Sequence, residues 1–181
     1  MFTPRELALE RGWPGKIDGD SVIQVAAQTL ESFFTGGGDA REHAVYPLAD
    51  VDLRAPILRP PSIRLFDDEQ TFTFGNTASI YARGDEIPVP DGEIETLLRV
   101  AAVIGAGQSI AGFTPLEEHR VHSLRAPKDR DFATAIGPIV VTRDEFEPEG
   151  FAWDEAAAWA ALNTRLRPGD LLVAPIGIAV P

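Results

Sequence analysis

The sequence predicts a mainly β or α+β protein with few, short helices, and three observations carry that expectation. Fifteen prolines and sixteen glycines are spread along the 181 residues, so no long helix can dominate. The apolar runs are short and bounded by turn residues, the strongest of them closed by Gly105 and Gly107. Apolar residues recur at helical spacing in only two stretches.

The first of these spans residues 21–34, where Val25, Ala26, Leu30 and Phe33 fall near a 3.6-residue period and Gly36, Gly37 and Gly38 stop the helix. A proline-rich linker follows over 53–61, through Ala55-Pro56-Ile57-Leu58-Arg59-Pro60-Pro61. It divides the chain into a small N-terminal α+β lobe, residues 1–58, and a larger lobe, residues 59–181. In the larger lobe 70–74 alternates like a strand and 96–105 is strongly apolar, while 109–114 and 138–142 add two short strands. The second helix is predicted over 153–166 from Trp153, Ala156, Ala157, Ala160 and Leu162, and it opens on Asp154 and Glu155, as the helix dipole favours. Arg167-Pro168-Gly169-Asp170 then turns the chain into a last strand over 171–180. There is no internal repeat and no low-complexity tract.

Composition bounds the function. With 28 acidic and 16 basic side chains the formal charge is −12, which repels phosphate backbones and anionic lipid, so no nucleic acid and no membrane are expected as partners. A small molecule or another protein is. The 44% of hydrophobic residues suffices for a core, and the absence of cysteine removes disulfides, thiolate metal sites and cysteine nucleophiles. No apolar run approaches the roughly 20 residues of a membrane span, and residues 1–16 carry no apolar signal core, so a cytoplasmic protein is expected.

Standard motifs are missing: there is no Walker loop, no dinucleotide glycine fingerprint and no His-Glu-x-x-His. The Gly36-Gly37-Gly38 run follows a helix, so it cannot aim helix N-terminal amides at a phosphate. His43, His119 and His122 are too scattered for an all-histidine metal site; His119 and His122 beside Glu117 and Glu118 could form a metal cluster or simply a polar loop. Glu93 and Glu95 would share one face of a strand, the arrangement a hard cation wants, yet they follow the turn Pro88-Val89-Pro90-Asp91-Gly92 and read better as a solvated acidic flank.

Six segments, in order, resemble the fumarylacetoacetate hydrolase family. They are Asp18-Gly19-Asp20 with the linker through Ser62-Ile63-Arg64; Gly75-Asn76-Thr77-Ala78-Ser79-Ile80-Tyr81 with Gly84-Asp85-Glu86-Ile87-Pro88; Ala101-Ala102-Val103-Ile104-Gly105; Ile110-Ala111-Gly112-Phe113-Thr114; Lys128-Asp129-Arg130-Asp131-Phe132-Ala133-Thr134-Ala135-Ile136-Gly137-Pro138; and Arg167-Pro168-Gly169-Asp170. The resemblance covers most of the chain and implies a mixed β-roll, a small-molecule substrate and a homodimer. It also implies a divalent cation, held by carboxylates, that polarises a β-diketone or 2-oxo acid.

Here the sequence departs from the family. The two metal-binding glutamates fall on Leu97 and Arg99, one aspartate falls on Glu118 with Glu117 beside it, and the other falls on Leu65 next to Phe66. No histidine stands in Glu69-Gln70-Thr71-Phe72, where the family's general base is expected, and its glycine-threonine pair becomes Pro175-Ile176. The segments 66–72, 118–128 and 138–168 look trimmed. Lys128 persists, and Asn76 and Tyr81 lie in the segment that resembles the approach to the active site. No metal and no other cofactor is therefore expected.

Arg99 could stand in for the cation and, with Lys128, hold a carboxylate or enolate; equally, it could pair with Glu118 or another acid in a pocket no longer used. Three functions follow. The first is metal-independent isomerisation, elimination or cyclisation of an acidic β-dicarbonyl, polyketide-like or tetronate-like molecule, with Arg99, Lys128 and Glu118 as catalytic residues and Leu65, Leu97, Asn76, Tyr81 and Ile176 binding substrate. The second is a non-catalytic binding or interaction protein. The third is metal-dependent hydrolysis of a C–C bond at a displaced site of Glu118, Glu95 and Glu93.

Overall fold

The computed structural model describes residues 1–7, 9 and 11–179. Strand β1 (Phe2–Pro4) pairs antiparallel with β5 (Val51–Leu53), and β2 (Gly15–Asp18), β3 (Ser21–Val25) and β4 (Glu42–Pro47) form a three-stranded antiparallel sheet. Helix α1 (Leu30–Thr35) stands between β3 and β4. The remaining strands are β6 (Ile63–Asp68), β7 (Thr71–Phe74), β8 (Ile80–Ala82), β9 (Ile94–Ile104), β10 (Ile110–Val121), β11 (Thr134–Ile136), β12 (Val141–Thr142) and β13 (Leu171–Val173). They build one eight-stranded mixed sheet in the order β7-β6-β13-β9-β10-β11-β8, with β12 also on β10. The β13–β6 and β11–β8 pairs are parallel. This is the mainly β fold with few helices that the composition predicts.

Long strands at the centre follow from the sequence. In β9, Ala101 and Val103 face one core while Val100, Ala102 and Ile104 face another, so both faces of the strand are covered over 100–104 and that stretch is apolar throughout. The first core takes Met1, Leu30 and Phe34 from before residue 58 and Ile57, Ile63, Leu116 and Val173 from around and beyond it. The second lies beneath helix α2 (Trp153–Ala160), whose Trp153, Ala156 and Ala160 pack with Phe66, Phe113 and Leu172. Trp153 donates its indole N–H to the Pro148 carbonyl at 3.0 Å, which satisfies the one polar atom it buries. Among the described residues no helix is long and apolar enough to cross a membrane.

Several predicted elements change. Residues 21–25 are strand, not the start of a helix: Asp18 pairs with Ser21 across Gly19 and Asp20, and Gly19 (φ 54°) occupies the first central position of this two-residue hairpin turn. The helix begins only after Thr29, whose hydroxyl accepts from Ser32 N while Ser32 Oγ accepts from Thr29 N. The strand expected over 138–142 shrinks to Val141–Thr142, because Pro138 brings no N–H to a ladder. Helix α2 stops at Ala160; Leu162 is exposed and Asn163 adopts a left-handed conformation (φ 58°) that ends the helical path. The final strand is paired only over Leu171–Val173, since Pro175 has no N–H to continue it; Val180 lies outside the described residues. Strand β10 instead extends well beyond Thr114, and β11 arises within the segment 128–138 that was read only as a family match.

Gly112 shows how tightly the centre is built. A Cβ there would overlap the Val141 carbonyl oxygen and press on Thr142 Cα at 3.0 Å, both backbone atoms of the paired β12. Gly112→Ala is expected to lower the unfolding free energy by about 1–3 kcal/mol, read from urea denaturation, through forced separation of β12 from β10.

Candidate functional site

The β9–β10 ladder sets Leu97 opposite Glu118 and Arg99 opposite Leu116, so Arg99 and Glu118 are diagonal neighbours on one face of the sheet. Both are buried, at 3% and 1% exposure. Arg99 Nη1 donates to Glu118 Oε2 at 2.6 Å, Nη2 to the Phe66 carbonyl at 2.7 Å and Nε to the Ala174 carbonyl at 2.8 Å. Its three nitrogens are thus engaged by the chain's own oxygens. The other carboxylate oxygen, Glu118 Oε1, accepts from Arg120 Nε at 2.6 Å and lies 3.3 Å from Arg130 Nη1. Arg130 in turn grips Asp129 through Nε and Nη2, at 3.1 and 3.0 Å.

The electrostatics follow from this geometry. Burial by itself pushes the Glu118 carboxyl up, but the hydrogen bonds and charges of Arg120 and Arg99 outweigh it and hold the group below its ordinary value. The hydrogen bonds from Arg130 likewise hold Asp129 down, and Arg130 is raised by the same contact. Three guanidiniums surround Glu118 and Asp129, and the Asp67 carboxylate is near enough to act on Arg130, so the cluster is close to charge balance. Arg120 and Arg130 are the members that reach solvent, with side chains 26% and 23% exposed, and the Arg120 Nη atoms have no hydrogen-bond partner among the described residues.

The remaining predicted residues sit at different depths. Leu65 is buried in the first core, beside Val173 of β13, and Leu97 is half-buried next to the ion cluster. Lys128 projects outward, 70% exposed, and its Nζ lies 2.7 Å from Asp131 Oδ2. Asn76 ties two loops together: its amide donates to the Asp131 carbonyl at 2.7 Å and to Ser79 Oγ, and its Oδ1 accepts from Ala78 N. Tyr81 is half-buried on β8, and Ile176 is exposed beyond β13. Sequence reasoning missed Arg120 and Arg130 as partners of Glu118. Arg120 carried a usable signal, since two residues along a strand return to the same face; Arg130 carried none.

A divalent cation does not fit these residues. Hard cations need several free carboxylate or carbonyl oxygens, and both oxygens of Glu118 are occupied by guanidinium N–H groups. Leu97 and Arg99 stand where the resemblance implies glutamates. Among the described residues no three His, Asp or Glu side chains converge on one point, so the displaced site of Glu93, Glu95 and Glu118 does not assemble.

No family model matches the sequence, and no curated protein does. Solved structures do. Maleylpyruvate hydrolase from Sphingobium sp. SYK-6 superposes with a TM-score of 0.72 at 18% identity, over 95% of this chain and 89% of that one, which limits any trimming relative to this neighbour to a small share of its length. The same enzyme has been solved with manganese(II) and pyruvate. An HpcE protein from Mycobacterium smegmatis gives 0.64 at 18% identity over 91% and 84%, and 2-keto-3-deoxy-D-arabinonate dehydratase with magnesium and 2,5-dioxopentanoate gives 0.71 at 15% over 91% and 83%. The fold these neighbours share, with a hydrolase and a dehydratase among them, is the one the sequence resemblance implied: this chain is built on the fold of the fumarylacetoacetate hydrolase family.

Proposed function

We propose that this protein binds an acidic, β-dicarbonyl-like small molecule without a metal ion, at the solvent-facing side of the Arg99–Glu118 cluster. The carrying observation is that Arg99 is held by three protein oxygens in a place where the family resemblance implies metal-binding carboxylates, so the guanidinium supplies the fixed positive charge and its contacts supply the rigidity. Arg120 is then the anchor that a ligand carboxylate meets, because its side chain is 26% exposed and its Nη atoms have no hydrogen-bond partner among the described residues, with the partly exposed Arg130 beside it. Binding without turnover is the reading this geometry favours. Glu118 is buried and held in its ionised form between guanidiniums, which argues against a role as proton donor or base.

A second reading, metal-independent isomerisation, elimination or cyclisation, draws on the unpaired Arg120 Nη atoms. They could hold an enolate as it forms, a stabilisation that needs no nucleophile. A homodimer belongs to the same proposal, and light scattering tests it.

Thermal shift at fixed ionic strength separates these readings. Acidic dicarbonyl ligands are expected to raise the melting temperature of the wild type, and Arg120→Ala is expected to weaken that response at least tenfold in ligand concentration, a change of about 1.4 kcal/mol in binding. Consumption of the ligand, followed by NMR, would promote the second reading to the first. Indifference of the wild type to every such ligand would remove both.

A further inference from the structure

We propose that a cleft at the far end of β9, distinct from the ion cluster, binds the phosphoryl group of a phosphorylated small molecule. The cleft has a volume of about 720 Å³ and lies between the start of β6, the loop 105–108 and the segment 164–170. Its lining carries Arg64, Arg165 and Arg167 against a single acid, Asp170, a local excess of two positive charges in a chain of net charge −12. Such a reversal against the global field is what concentrates an anion at one place.

Two observations separate this cleft from an ordinary basic surface. First, Arg165 and Arg167 are exposed and form no ion pair among the described residues, although the protein has acids in excess. Second, Arg64 is buried, at 5% exposure, and its Nε–H has no acceptor. Asp170 cannot serve it. One Asp170 oxygen accepts from Ser62 Oγ at 2.7 Å and the other from Arg167 N at 2.6 Å, and the latter oxygen stays 3.7 Å from Arg64 Nη1. The Arg64 guanidinium lies over the rings of Phe72 and Phe74, 5.8 and 5.6 Å from their centroids, which places it on the α2 face of the sheet. The Arg99–Glu118 cluster is on the opposite face, with Ala101 and Val103, so this inference stands independently of the function proposed above.

The chemistry selects the ligand. The Arg64 guanidinium, two further guanidiniums from a second wall, the Gln108 amide N–H groups and the Thr164 hydroxyl offer donors from several directions, while Ser62 Oγ donates to Asp170 and accepts from Arg64 Nη1. A tetrahedral dianion with three terminal oxygens uses such an arrangement and balances two positive charges; a planar monocarboxylate satisfies at most one fork. The cleft leaves room for an organic group beyond the phosphate.

Isothermal titration at constant ionic strength, with inorganic phosphate, ribose 5-phosphate and malonate as probes, tests the assignment. The wild type is expected to bind ribose 5-phosphate more tightly than inorganic phosphate and at least tenfold more tightly than malonate. Arg165→Ala with Arg167→Ala should weaken the sugar phosphate at least tenfold, and its unchanged melting temperature in sodium chloride would show that the fold is intact. Equal affinity of wild type and double variant, malonate equal to the phosphates, or inorganic phosphate as tight as the sugar phosphate would each overturn the proposal. Line broadening of the ³¹P resonance by wild type but not by the variant gives a second readout.

Discussion

Glu118→Ala is expected to destabilise the protein by about 3–5 kcal/mol in urea denaturation, because it leaves the Arg99 guanidinium buried without its counter-charge. The two carbonyls that also hold Arg99 satisfy hydrogen bonds but carry no compensating charge. Glu117→Ala, one residue away, removes an ion pair with Arg83 whose side chains are 49% and 21% exposed, and should cost no more than about 1 kcal/mol. The contrast between neighbours isolates burial as the cause. The pH dependence has a definite sign. The folded-state value of Glu118 lies below its ordinary 4.5, so its contribution is complete above that pH and is lost as the pH falls through the folded-state value. Glu118→Gln should therefore flatten the acid limb of the stability profile, and a limb unchanged by the substitution would show that another carboxyl controls acid unfolding.

The central strands were legible because their signal is local. Within the run 96–105, residues 100–104 are apolar on both faces, the pattern of a strand covered on both sides, and Gly105 and Gly107 keep it too short for a helix. Residues 21–34 were ambiguous for the opposite reason: Val22, Ile23 and Val25 suit a strand, Leu30 and Phe34 belong to a real helix, and one 3.6-residue period can be drawn through both. The short paired segment Thr134–Ile136 is created by neighbours far away in sequence and no local pattern announces it, whereas Val141–Thr142 lies in the β-branched run 138–142 that does. At the site, the resemblance to the family places Leu97 and Arg99 where it implies carboxylates. What Arg99 does there was not legible. Its pairing with Glu118 depends on the β9–β10 register, in which a slip of one residue would turn one of the two side chains to the other face. Lys128 points outward toward Asp131, a loop direction that sequence spacing alone leaves open.

If Arg99 and Leu97 occupy the place of a cation's carboxylates, then Leu97→Glu with Arg99→Glu should build a metal site where the wild type has none. Positions 97, 99 and 118 lie on one face of the β9–β10 ladder, directly across or diagonal from each other, so the two new carboxylates would stand beside Glu118. Without metal the double variant is expected to melt well below the wild type, since three adjacent carboxylates, two of them at buried positions, repel one another and only Arg120 and Arg130 remain to offset them. Manganese or magnesium at about 100 times its dissociation constant would return about 2.7 kcal/mol, roughly 5–10 °C in melting temperature for a chain of this size. The wild type should shift by less than about 1 °C under the same conditions, because binding there would first require pulling Arg99 from three acceptors. Equal stabilisation of both proteins would mean that the guanidinium yields to the ion. A folded double variant that ignores the metal would mean that Arg99 does not stand in the ion's place at all, and the argument for metal-independent binding would lose its footing.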